Sequence, residues 1–106
     1  MKNGLYKVEF QTPLGAGAGV AILTDGAIRG GDSAMYYAGS YQLEGGKFTA
    51  KVLSARHSAG AQSVFGKDRV NIQLSGTATD DSAQCRGTAS EAPGISFQAV
   101  LKRISD

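Results

Sequence analysis

Gly15-Ala16-Gly17-Ala18-Gly19 is the first stretch whose residue types suggest chemistry, because glycine-rich loops cradle phosphates with their backbone N–H groups. The pattern fails the test. Val20 stands where a dinucleotide loop needs its third glycine, no Lys-Ser/Thr pair follows, and no helix N-terminus comes next to meet an anion. His57 is the chain's one histidine. A nucleophilic serine would therefore need it as base, with Ser54, Ser58 or Ser63 attacking and Asp68 orienting the ring. Nothing in the spacing demands that geometry, and a histidine beside Arg56 in a loop reads as solvated. Asp32, in Gly30-Gly31-Asp32-Ser33, is more distinctive. Two glycines and an aspartate between strands predict a tight turn whose carboxylate accepts nearby backbone N–H groups. A metal or ligand role for Asp32 would need a second carboxylate beside it, and none is predicted there. Cys85 is the single cysteine, so it forms no internal disulfide, and no Cys/His cluster offers a zinc site. No catalytic residue, cofactor site or metal site is predicted.

The elements that must position these residues read as strands. From Gly4 to Gln11, Tyr6, Val8 and Phe10 alternate with Leu5, Lys7 and Glu9, a period of two. Gly15–Thr24 follows, and Asp25-Gly26 is a strong two-residue hairpin signal, since both positions need a positive φ that Asp tolerates and Gly takes freely. Ala27–Gly30 pairs back. Met35–Leu43 carries Tyr36, Tyr37 and Tyr41, with Tyr37 and Tyr41 on one side and Tyr36 on the other. A turn at Glu44-Gly45-Gly46 leads into Lys47–Ser54, where Phe48, Ala50 and Val52 share a face. Residues 55–67 lose the alternation, and a short helical turn near residues 58–65 is predicted to close one end. Arg69–Thr79, Ala83–Ser90 and, after Pro93-Gly94, Ile95–Lys102 complete the pattern.

These 106 residues suit a single domain, and the strands predict an all-β fold: a small antiparallel β-barrel of 7–8 strands over residues 1–106. The 15 glycines fit closure, because a sheet so short must coil sharply. Gly17, Gly19, Gly30, Gly39 and Gly87 are the predicted corners. The rival reading, small residues lining a ligand cavity, stands behind simple packing. Eleven basic against nine acidic residues, net +2, form no block of one sign that would steer the chain to nucleic acid or to a membrane. The uncharged run Phe10–Thr24 is too short and too broken by glycine to span a bilayer. Met1-Lys2-Asn3 runs straight into a strand pattern without the apolar core of a signal peptide, and the lone cysteine suits a reducing compartment, so a cytoplasmic location is expected. An exposed ring among the three tyrosines favours a protein interface over base stacking, which would want a basic groove.

Asn3-Gly4-Leu5-Tyr6-Lys7-Val8-Glu9-Phe10, then Gly19-Val20-Ala21-Ile22-Leu23, Asp25-Gly26, Gly30-Gly31-Asp32-Ser33 and Tyr37-Ala38-Gly39-Ser40-Tyr41 resemble, in order and spacing, GrlR-type negative regulators of type III secretion. The resemblance covers residues 3–57. It implies a bacterial protein with a lipocalin-like barrel, a homodimer that binds a transcriptional activator rather than DNA. Members carry four alternating acidic residues after the strand of Tyr41 for that contact. Here the loop is Glu44-Gly45-Gly46-Lys47, with one acid and a lysine, so Glu44, Lys47 and the exposed Tyr36 are the expected protein-binding residues. The alternative is a carrier holding a small apolar ligand in the barrel lumen.

Overall fold

The computed structural model describes residues 1–60 and 63–106. Eight strands appear: β1 (Gly4–Thr12), β2 (Gly15–Thr24), β3 (Ala27–Gly31), β4 (Met35–Glu44), β5 (Lys47–Arg56), β6 (Arg69–Ala78), β7 (Ser82–Ala89) and β8 (Ala92–Ser105). Each pairs antiparallel with the next, and β1 pairs with β8, so the chain is an all-β, closed, lipocalin-like barrel in simple up-and-down order. The seam runs from Leu5 opposite Ser105 to Gln11 opposite Gln98, with one register shift at Leu5/Tyr6. No described helix is long and apolar enough to cross a membrane.

The period-two pattern decides which residues fill the interior. Tyr6, Leu23, Phe48 and Val70 are fully buried from β1, β2, β5 and β6, and burying each such side chain contributes ~1.5–3 kcal/mol. Two turns have the backbone that their residues suggested. Asp25 and Gly26 have φ of 49° and 87°, and Gly45 and Gly46 have 57° and 84°, so both hairpins close in two residues with positive φ throughout.

Four expectations need correction. Gly30 and Gly31 belong to β3, not to the turn after it: a Cβ on Gly30 would lie 2.1 Å from the Val20 carbonyl oxygen, so glycine serves close strand approach there. Gly87 is a corner of the same kind, with a Cβ only 1.7 Å from the Gln73 carbonyl oxygen. Gly17 is instead a seat for a ring, where a Cβ would meet Phe10 Cε2 at 2.7 Å, while at Gly19 a Cβ would meet both Tyr37 Oη at 2.6 Å and the Gly31 carbonyl oxygen at 2.7 Å. No helical turn is found among the described residues of 58–65, which bend and turn; residues 61 and 62 of that span lie outside the described residues. Finally, Pro93-Gly94 sits inside β8. The hairpin is made by Ser90 and Glu91, and the irregular pairing between Gly87 and Ala89 tolerates a proline without an N–H at the strand start.

Only five residues make up β3, between ten-residue neighbours. β2 is paired to it over Val20–Thr24, which leaves residues 15–19 without a ladder on that side among the described residues. The barrel wall is notched there, beside the turn between β3 and β4.

Candidate functional site

The inward faces do not fill the lumen. A cavity of about 230 Å³ remains, and its lining includes Ala16, Gly17, Ala18, Asp32, Ser33 and Ala34 around the notch. One wall is aromatic. Phe65 stacks on Phe97 at 5.2 Å between ring centres, Phe97 stacks on Phe10 at 6.0 Å, and Phe10 meets Tyr37 edge-on at 6.1 Å. Thr12 Oγ1 donates to the Val64 carbonyl at 2.5 Å and so ties the 63–66 turn, with Phe65, over the lumen end.

Polar groups gather at the notch. Asp32 Oδ1 accepts the N–H groups of Ala34 (2.9 Å) and Met35 (2.8 Å), and Oδ2 accepts the Tyr37 hydroxyl (2.5 Å). Burial alone would raise the Asp32 pKa. The hydrogen bonds from Tyr37, Ala34 and Met35, with His57 nearby, outweigh it and hold the carboxyl below its ordinary value. Burial, and then the Asp32 carboxylate, push the Tyr37 phenol far above its ordinary value, so it stays a neutral donor. Ser54 lies opposite Tyr37 in the ladder and also lines the cavity. At 8% exposure it is the one buried polar side chain among the described residues, and its hydroxyl has no hydrogen-bond partner among them. No described side-chain N or O atom is sealed in without a partner, so the Ser54 hydroxyl faces the open space of the lumen.

The residues weighed for nucleophilic chemistry are only partly brought together. His57 Nε2 donates to the Asp32 carbonyl at 2.9 Å, and Nδ1 lies 2.7 Å from Ser58 Oγ. Asp68 is held by Arg56 Nε at 2.8 Å rather than by the histidine. Ser63 Oγ donates to the Lys67 carbonyl, and Ser54 lies across the wall in the lumen, which neither His57 nor Ser58 lines. Among the described residues no three His, Cys, Asp or Glu side chains converge as metal ligands. The Cys85 thiol is buried, donates to the Ala99 carbonyl, and is pushed up to about 11 by its burial.

The expected protein-binding residues separate. Tyr36 is at one end of β4, while Glu44 and Lys47 face each other at the far hairpin, eight residues or about 26 Å along the strand. What surrounds Tyr36 is apolar. Gly31 stands between Tyr36 and Val20 in one row across β2, β3 and β4, and Ile22 is the next outward residue on β2. Tyr36, Val20 and Ile22 are 39%, 44% and 53% exposed. A wide, shallow hollow on the outside of β4–β7, lined by Thr49, Lys51, Gln73, Ser75 and Arg86 among others, is ordinary polar strand surface.

Two features escaped the sequence reading. Ser54 was weighed only as a nucleophile, although its parity with Phe48, Ala50 and Val52 was the signal that it points inward. The Val20–Ile22–Tyr36 cluster joins three strands, and no signal within any one strand announces it. No protein-family model matches the chain, and no curated protein matches it in sequence.

Proposed function

We propose that this chain is a non-catalytic, cytoplasmic regulatory module, a bacterial homodimer that sequesters a transcriptional activator, as its resemblance to GrlR-type negative regulators of type III secretion implies. The observation that supports this reading is the outward cluster of Val20, Ile22 and Tyr36. Single exposed apolar residues are ordinary, but neighbouring ones with a tyrosine have the composition of an interface core. On this reading the contact centres on the Tyr36 end of β4, and Glu44 and Lys47 contribute little. The test is affinity capture from bacterial extract with mass spectrometry. The parent should retain a DNA-binding regulator, Tyr36→Ala combined with Ile22→Ser should lose it, and Glu44→Gln should keep it. Retention of no protein beyond the chain itself would sink the proposal.

The cavity supports a second reading, a carrier of a small apolar ligand. About 230 Å³ is below the usual range for drug-sized ligands, so only a compact molecule fits.

A further inference from the structure

The walls of the lumen are more selective than an apolar cavity needs to be. Building on the carrier reading, we infer that the lumen takes a compact one-ring aromatic molecule carrying a hydroxyl, a phenol or aryl alcohol, and rejects carboxylates.

Size comes first. A dry cavity of roughly 150 Å³ accommodates benzene, so about 230 Å³ suits one ring and a short substituent, on the order of ten non-hydrogen atoms. Shape comes next. Phe65, Phe97 and Phe10 stack in sequence along one wall, and an aromatic guest gains offset or edge contacts with such rings beyond its area burial.

The head group follows from Ser54. Its hydroxyl is nine-tenths buried, has no hydrogen-bond partner among the described residues, and stands beside Tyr37 in the ladder. A polar group so placed needs a complement from within the lumen. Elsewhere in the lining, the polar oxygens at the notch are acceptors. The Tyr37 hydroxyl donates its hydrogen bond to Asp32, so its oxygen keeps lone pairs to spare, and Asp32 Oδ2 has one protein donor and room for another. A ligand hydroxyl can pair with the Ser54 hydroxyl in either direction, since each is both donor and acceptor. A carboxylate can only accept, and it would face Asp32. That is the one charged residue of the described lining, which has no Lys, Arg or His to offset a second negative charge.

Titration calorimetry on the full chain at neutral pH tests this with three probes of equal size class: para-propylphenol, propylbenzene and hydrocinnamate. The phenol should bind roughly tenfold more tightly than the hydrocarbon, the worth of one well-placed hydrogen bond, and hydrocinnamate more weakly than either. Ser54→Ala should bring phenol and hydrocarbon to equal affinity, and Ser54→Thr, which keeps the hydroxyl, should restore the preference. Circular dichroism and a cooperative urea transition verify that each variant is folded. Equal binding of phenol and hydrocarbon by the parent, or an unchanged preference in Ser54→Ala, would overturn the hydroxyl inference while leaving a carrier in place. Failure of all three probes to bind would remove the carrier reading itself.

Discussion

Asp32 joins the backbone turn to the lumen: one oxygen holds two N–H groups of the turn, and the other holds the Tyr37 phenol. Asp32→Ala leaves these donors without a partner and should lower the unfolding free energy by ~1–3 kcal/mol in urea titrations at neutral pH. Because the folded-state pKa lies below the unfolded one, this stabilisation is present above the ordinary carboxylate range and is lost as pH falls through the folded value. The gap between parent and variant should therefore shrink below about pH 4. An unchanged gap at acid pH would mean that the carboxylate does not hold the turn. Glu91 is a similar clamp, pulled down to about 2 chiefly by the Asn71 backbone N–H and the Asn71 side chain. The role of Asp32 was legible because an aspartate after two glycines bonds locally. That of Ser54 was not, since a missing partner shows only once the opposite strand and the lumen are in place. Glu44 and Lys47 were expected from the resemblance and Tyr36 from its exposed ring, and strand rise separates them along β4.

At the scale of elements, alternation marked the inward faces of β1 and β5 correctly, because a half-buried strand can hide only every second residue. Boundaries were less legible where punctuation misled, as at Pro93-Gly94 inside β8. The glycines separate into kinds that composition cannot distinguish. At Gly87 an added methyl would strike the Gln73 carbonyl, whereas at Gly94 no atom lies within 4 Å. Gly87→Ala should therefore destabilise the barrel by ~1–3 kcal/mol or more, while Gly94→Ala stays within about 0.5 kcal/mol. Parallel thermal and urea unfolding of the two variants checks this, and equal stabilities would rule out backbone crowding as the reason for glycine at 87.

For the whole molecule, the β1–β8 seam converts a coiled sheet into a barrel. Amide hydrogen exchange should find Lys7–Gln11 protected to the same degree as Lys51–Leu53 in the middle of β5, because both stretches have ladder partners on two sides. Exchange at the seam faster by orders of magnitude would indicate a sheet that opens in solution. Closure itself was legible from strand count and glycine content, but the volume left inside was not, since it depends on which glycines seat rings and which bend strands. The brevity of β3 carries a kinetic meaning as well. Among the described residues the gap beside it is absent ladder, so a small molecule that passed there would part no strand pairs. How long it stays would then depend on its grip on the walls, and stiffening the barrel would not trap it.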